Sequence, residues 1–356
     1  MHVERTAVLA AALVIFLGAC TTGPSASASV SALASAKASS QSASEPSAGL
    51  AGLPGKIAFT RFKGGFGWEG DFLGTYLIQA DGSGELPLPT PNHANTFLPT
   101  WSPDGTRLSV QVFDDTAGIA GRTAIVSPDG SDFRVIKPAS LPNFLSCTDW
   151  SSDARSLLCT YDDDARPELE GIYQVSVDGS QIKRLTHAPY PSVVGTAGEC
   201  GGGDYGASYS PDGRRFAFIR LKCGVKADPS DDQTAEVWVG NTDGTGLSAI
   251  TSPGVPNSHG PGVAWSPDGR SILFGDANGA LRLVTPDGVG VSSIALGGPP
   301  GVATTPTWSP DGAYILFSLY GLATGTTDLY VAHADGSDVT RITTTPDSEE
   351  FASWGP

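Results

Sequence analysis

The stretch WSPDGAYILFSLYGLATGTTDLYVAHADGSDVTRITTT, residues 308–345, contains one full unit of the pattern that organises this chain. It opens on a Trp-Ser-Pro-Asp-Gly turn and enters a run of aromatic and β-branched residues suited to a pleated strand. A second strand then leads to Asp335-Gly336, a pair that supplies the positive φ of a tight hairpin, and a short last strand closes the unit at Thr340–Thr344. The opening turn recurs at Trp101–Gly105 and Trp265–Gly269. Degenerate copies stand at Trp150 (WSSDA) and Tyr209 (YSPDG), with a truncated WGP at Trp354. Asp-Gly pairs recur at Asp81, Asp129, Asp178, Asp243 and Asp287.

Each unit therefore reads as four strands in about 43 to 65 residues, with no amphipathic helix between units. Strands of this kind cannot bury both faces alone, and radial packing of several sheets buries them while leaving few open edges. Six Asp-Gly turns predict an all-β, six-bladed β-propeller of four-stranded blades. The folded region opens with GKIAFTRF from Gly55, the sequence that should follow a Trp-Ser-Pro-Asp turn, whereas FASWGP lies at residues 351–356. The C-terminal strand is thus expected to complete the first blade.

The WSPDG-x-x-[IL]-x-[FV] unit resembles the repeat of the TolB-type propeller family, also present in the propellers of prolyl-oligopeptidase relatives, and the resemblance spans residues 55–356. It implies a propeller that binds other molecules, and a role in envelope integrity like that of TolB. TolB carries an additional N-terminal α/β domain. Here the corresponding region is a Ser/Ala-rich segment.

Arg5 is followed by an apolar run, Ala7–Leu17, that is too short to span a bilayer but suits a signal-peptide core. It ends at Leu17-Gly18-Ala19-Cys20, which resembles a bacterial lipobox with Cys20 as the lipidated residue. Residues 1–19 are read as a lipoprotein signal peptide and 20–54 as a lipidated cysteine plus a disordered tether, too poor in large apolar side chains to build a core. Residues 55–356 are the propeller. The expected location is the outer face of the bacterial cytoplasmic membrane, or the outer membrane where there is one, with membrane contact through the lipid anchor only.

A net charge of −16 and a pI near 4.5 argue against nucleic acid as a partner, because phosphate backbones require a Lys/Arg surplus. The remaining partners are a protein, peptide or glycan of the envelope, bound by a monomer. Apart from Cys20 there are four cysteines, an even number in an exported chain. Cys147 and Cys159 lie equally far on either side of Asp153, and Cys200 and Cys223 nearly so about Asp212, which predicts the bridges Cys147–Cys159 and Cys200–Cys223.

In such blades the SPDG and DG turns emerge on one face, and the longer loops on the other. The long loops gather Glu69, Asp71, Asp114, Asp115, Asp162, Asp163, Asp164, Glu168, Asp228, Asp231 and Asp232. Two readings stay open for this acidic face: a solubilising rim, or a Ca²⁺ site or docking surface for a basic partner, with Asp162, Asp164, Asp231 and Asp232 as candidate metal ligands. No run has EF-hand spacing, and no cofactor is otherwise indicated. Trp68, flanked by Phe66 and Phe72, is the candidate aromatic anchor. His93, His259, Glu349 and Glu350 fall in blade-to-blade segments expected near the mouth of the central channel.

GFGWEG from Gly65 matches G-x-G-x-x-G, but the sequence continues as strand where a dinucleotide site needs a helix. There is no G-x-S-x-G elbow, H-E-x-x-H or C-x-x-C motif. No catalytic residue is assigned. The leading expectation is a non-catalytic binding scaffold. Its rival is a metal-dependent propeller enzyme of the polysaccharide-lyase kind, with His93, His259 and Glu349 or Glu350 around the channel.

Overall fold

The computed structural model describes residues 50, 52–64, 71–91, 94–114, 119–141, 144–163, 166–188, 203–223, 233–256 and 262–356. They form six four-stranded antiparallel sheets arranged in a ring, the expected six-bladed propeller. Blade 1 runs, from the axis outward, Ser348–Gly355, Lys56–Lys63, Asp71–Gln79 and Leu86–Pro87; blade 2 Asn95–Trp101, Leu108–Asp114, Ile119–Val126 and Arg134–Val135. Blade 3 is Phe144–Trp150, Ser156–Asp162, Gly171–Ser176 and Ile182–Arg184, and blade 4 Gly203–Tyr209, Arg215–Cys223, Gln233–Asn241 and Ser248–Ala249. The shortest, blade 5, is Ala264–Trp265, Ile272–Gly275, Leu281–Val284 and Val291–Ser293, and blade 6 is Gly301–Trp308, Tyr314–Gly321, Thr327–His333 and Thr340–Arg341.

The ring closes by pairing. Ser348–Gly355 lies antiparallel to Lys56–Lys63, with Trp354 opposite Ile57 and Glu349 opposite Arg61. The core explains why each second strand is apolar on both faces. Among the described residues there are six buried clusters, one at each junction between neighbouring blades. Ile57 and Phe59 pack toward blade 6 with Leu316, Leu329 and Trp354, whereas Ala58 between them packs toward blade 2 with Trp101 and Val110. Period-2 alternation thus feeds two junctions from one strand.

The Trp-Ser-Pro-Asp-Gly motif serves these junctions and the turn at once. Trp101, Trp150, Trp265 and Trp354 are all buried in the junction clusters. Ser102 donates its hydroxyl to Asp104 at 2.6 Å, Asp104 accepts the Thr106 amide at 3.0 Å, and Gly105 (φ 66°) closes the turn onto the Ser102 carbonyl. The turns also stack around the ring. A Cβ on Gly105 would come within 3.0 Å of Pro356, and Gly269 and Gly312 sit likewise beside Pro211 and Pro267 of the preceding blade.

Cys147 and Cys159 face each other in register on neighbouring strands of blade 3 and are joined by a disulfide, as expected. Closing a loop of 12 residues contributes about 3 kcal/mol by chain-entropy arguments. Replacing both by alanine is expected to lower the unfolding free energy by about that amount, read from urea unfolding with the slope fitted for each protein because the uncross-linked chain unfolds to a more expanded state. Of the other expected bridge, Cys223 ends a blade 4 strand and Cys200 lies outside the described residues.

Candidate functional site

The axis of the ring holds a cavity of about 210 Å³ to which all six innermost strands contribute, from Leu98–Trp101 in blade 2 round to Phe351–Trp354 in blade 1. Its wall is shaped by a repeated defect. In blades 1, 2, 4 and 6 two residues of the innermost strand oppose one of its neighbour: Phe351-Ala352 opposite Phe59, Leu98-Pro99 opposite Val110, Gly206-Ala207 opposite Phe218, and Thr305-Pro306 opposite Phe317. Each bulge begins with a left-handed residue: Phe351 (φ 54°), Leu98 (φ 49°), Gly206 (φ 58°) and Thr305 (φ 50°). For the three that carry a side chain this conformation costs about 1–2 kcal/mol each. The same eight bulge residues line the cavity. Bulges of this kind re-aim a strand, and strained backbone concentrates at functional sites.

Hydrogen bonds hold the wall from blade to blade. Thr148 donates to the Ala207 carbonyl at 2.8 Å, the Trp150 indole to the Thr100 carbonyl at 3.0 Å, and the Trp308 indole to the Ala264 carbonyl at 3.2 Å. A second set uses the residue before each aromatic. Ser353 accepts the Trp101 amide at 3.1 Å, Asp149 accepts the Tyr209 amide at 2.7 Å, and Ser208 accepts the Trp265 amide at 3.2 Å.

Asp149 is the one ionisable side chain among the described residues that line the cavity. Burial pushes its carboxyl up to about 6, against the opposing pull of the Tyr209 and Trp150 amides and the Ser208 hydroxyl. Asp149 is not among the residues that the repeat pattern singles out. The available signal was an acid in Thr148-Asp149-Trp150, where the other copies carry Ser353, Thr100, Ser208, Ala264 and Thr307 before the aromatic.

Glu349 and Glu350, expected in a loop at the channel mouth, instead lie inside the innermost strand of blade 1 and are buried at 0% and 2% exposure. Glu349 accepts Arg61 Nε at 2.9 Å and the Thr345 hydroxyl, and Glu350 accepts the Thr327 hydroxyl at 3.2 Å. Arg61 also donates to both oxygens of Glu85, at 2.6 and 2.9 Å, and lies 4.4 Å from the Tyr76 ring centroid. Burial raises the Glu349 carboxyl to about 7, with Thr345, Arg61 and Thr343 pulling the other way. These carboxylates are part of the ring-closing junction.

Phe72 begins a blade 1 strand and packs 4.9 Å from Phe62 and 5.6 Å from Phe97, in an aromatic group that reaches Phe113 and Phe351. Asp162 ends a blade 3 strand and lines a small cleft with Glu170 and Asp204. Asp163 is buried, accepting Tyr161 Oη at 2.7 Å and Arg166 Nε at 2.8 Å. Phe66, Trp68, His93, Asp164, Asp231, Asp232, His259 and Cys20 lie outside the described residues. Among the described residues no group of three or more His, Cys, Asp or Glu is arranged to hold a metal ion. No helix among them is long and apolar enough to cross a membrane.

The opposite face carries the turns, and their aspartates share one electrostatic setting. Asp81, Asp104, Asp129, Asp153, Asp178, Asp212, Asp243, Asp268, Asp287, Asp311 and Asp335 are all held below the ordinary carboxylate value, first by the Ser or Thr hydroxyl of the turn and then by a backbone amide. Depressed carboxyls stabilise the fold above their unfolded value of 3.8 and lose that contribution as pH falls, toward about 2 for Asp104 and Asp178. Raised carboxyls act in the opposite sense. The contributions of Asp149 and Glu349 are complete below 3.8 and 4.5 and vanish as pH rises through about 6 and about 7. The thermal midpoint is therefore expected to climb as pH drops from about 8 to about 5, then to fall steeply below about 4. A level profile between pH 8 and 5 would show that the carboxyls of Asp149 and Glu349 titrate normally.

No family model matches the chain. A protein of Agrobacterium fabrum described as uncharacterized is 25% identical over 275 residues, covering 62% of this chain and 84% of its own length. Among solved structures, TolB from Acinetobacter baumannii superposes with a TM-score of 0.61 at 17% identity, over 85% of this chain and 67% of that one. A putative TolB from Agrobacterium tumefaciens gives 0.54 at 16% identity, over 85% and 99%. A nidogen/laminin complex gives 0.57 at 9% identity, over 84% and 98%. The fold is thus the TolB-type six-bladed propeller that the repeat implied, with a nidogen/laminin structure sharing the architecture.

Proposed function

We propose that the chain is an exported, lipid-anchored propeller that binds a protein, peptide or glycan of the cell envelope and does not itself catalyse a reaction. The observation that supports binding is the build of the axial cavity. Bulges at equivalent places in four blades hold a preformed opening of about 210 Å³ whose wall presents hydroxyls, apolar side chains and one carboxylate. Preformed concave sites of mixed polarity are where ligands bind, and a rigid scaffold lowers the ordering cost of association. The TolB structures share this architecture, and a TolB-like contribution to envelope integrity belongs to the same reading. The enzyme alternative is weakened by the engagement of Glu349 with Arg61 and of Glu350 with Thr327.

In this reading Cys20 carries the anchor, and residues 20–54 hold the propeller off the membrane. The long-loop face meets the partner, while the short Ser-Pro-Asp-Gly turns of the other face are structural. The test is photo-crosslinking in cells of the source organism, with the reactive residue at Leu322, 65% exposed between two strands of blade 6, or at Pro310 in a turn of the opposite face. Adducts of defined mass are expected from position 322 and not from 310. Adducts from neither, or equally from both, would overturn the proposal.

A further inference from the structure

The charge on Asp149 is more than the fold requires. Its structural role is to accept the backbone N–H of the next blade's aromatic residue, and in two other blades a neutral hydroxyl does the same, Ser353 for Trp101 and Ser208 for Trp265. A carboxylate there carries a desolvation cost that serine does not. Among the described residues, no lysine, arginine or histidine accompanies Asp149 on the wall of the cavity.

The hydrogen bonds already made to Asp149 narrow what would offset it. An ionised carboxylate offers about four acceptor positions. Two are taken by backbone amides, Trp150 on Oδ1 at 2.8 Å and Tyr209 on Oδ2 at 2.7 Å. What is left suits a single charged N–H. A guanidinium fork needs two parallel free acceptors, one on each oxygen, and the neighbouring Ser208 hydroxyl, which also favours the charged carboxylate, competes for one of them. A hydrated divalent cation is disfavoured for a related reason: it prefers several oxygen ligands with charge to spare, and here there is one carboxylate already accepting two amides. The free volume, about 210 Å³, equals roughly seven waters at ~30 Å³ each, enough for a lysine side chain or a slender amine.

We propose that the axial cavity is a binding site for a primary ammonium group, with Asp149 as its counter-ion. This rests on the binding-scaffold reading above and adds the chemistry of the group that enters the channel. Two sources present that chemistry: a lysine side chain or free N-terminus on a partner polypeptide, and a free polyamine.

The test uses the full chain and the D149S variant, which keeps an acceptor for the Tyr209 amide as Ser353 and Ser208 do elsewhere and removes the charge together with the oxygen that accepts the Trp150 amide. Binding of Nα-acetyl-lysine methylamide, its norleucine and arginine counterparts, spermidine and Ca²⁺ is read from NMR shifts of the Tyr209 and Trp150 backbone amides. The lysine compound is expected to bind the wild type at least tenfold more tightly than norleucine or arginine, and to lose at least tenfold in D149S while the thermal midpoint stays within a few degrees. Spermidine binding tenfold more tightly than the lysine compound would assign the site to free polyamines; the reverse would assign it to polypeptide amines. The proposal is overturned if the lysine compound fails to bind the wild type, binds D149S equally, is matched by arginine, or is displaced by Ca²⁺ at equal concentration. Crosslinking from position 322 that is equal in wild type and D149S, with no lysine binding, would sink this proposal and leave the scaffold reading standing. Lysine binding without any crosslink would do the opposite.

Discussion

Removing residues 348–356 is expected to leave the chain unable to fold. The deletion withdraws the innermost strand of blade 1, and with it Trp354, buried in the junction between blades 6 and 1, where it donates to the Pro54 carbonyl at 3.1 Å. Loss of a buried tryptophan costs about 3–5 kcal/mol. The deletion also takes Glu349 from Arg61, whose side chain is 7% exposed, and leaves the ladder edge of Lys56–Lys63 open along the channel. Arg61 keeps the two oxygens of Glu85, at 2.6 and 2.9 Å, so this loss is smaller than that of breaking a buried pair outright. Against a typical total of about 5–15 kcal/mol, the tryptophan, the weakened Arg61 site and the whole ladder of an innermost strand together remove most of the stability of the domain. Circular dichroism of the truncated chain should show no cooperative thermal transition. A permuted chain, with residues 346–356 placed before Gly55 through a short linker, should recover one, because Gly355 already lies against Gly55. Recovery would show that the requirement is for the strand and not for its position at the C-terminus. A cooperative transition in the truncated chain would mean that five complete blades close without it.

The repeat made the architecture legible because each of its letters has a separate mechanical duty that periodic spacing exposes. Tryptophan fills a junction, Ser-Pro-Asp-Gly is a complete turn, and Asp-Gly marks the hairpin outside it. The positions that were not legible are those where a polar residue interrupts a strand. Ser348-Glu349-Glu350 reads as loop because two adjacent acids suit neither face of a half-buried strand. Their burial becomes intelligible only with the register that sets Glu349 opposite Arg61. A signal did exist. Arg61 and Arg220 both stand four residues after the first core residue of a second strand, Ile57 and Phe216, and Glu349 and Asp204 both stand five before the aromatic, Trp354 and Tyr209. That double coincidence, absent from the other blades, encodes an ion pair across two strands of the same blade. Asp149 is hidden differently. Its neighbourhood reads as the approach to the turn after Trp150, and the position before the aromatic, which faces the axis, stands out only when the copies are aligned on that aromatic.

The pair in blade 4 allows this reasoning to be tested where no strand is deleted. Arg220 donates Nε and Nη2 to the two oxygens of Asp204 at 2.6 and 2.7 Å, with side chains 8% and 0% exposed, and its guanidinium lies 4.4 Å from the Trp238 ring centroid and 5.3 Å from that of Phe218. D204A removes the bidentate partner while the cation stays buried against two aromatic rings. The expected cost is about 3–5 kcal/mol, the usual consequence of breaking such a pair by one member. The double variant D204L/R220M removes both charges and fills similar volume, and should lie near the wild type or above it by about 1–4 kcal/mol, because desolvating two ions consumes most of what their attraction returns. Urea unfolding of D204L, R220M and the double variant completes a cycle whose coupling term isolates the pair. A cost below about 1 kcal/mol for D204A would mean that Glu236, bonded at 2.9 Å to the Trp238 indole, takes over the guanidinium. A double variant as unstable as D204A would mean instead that the pair fixes the register of the two strands, so that the ion pair in blade 4 and its counterpart on Arg61 in blade 1 would both be devices of specificity.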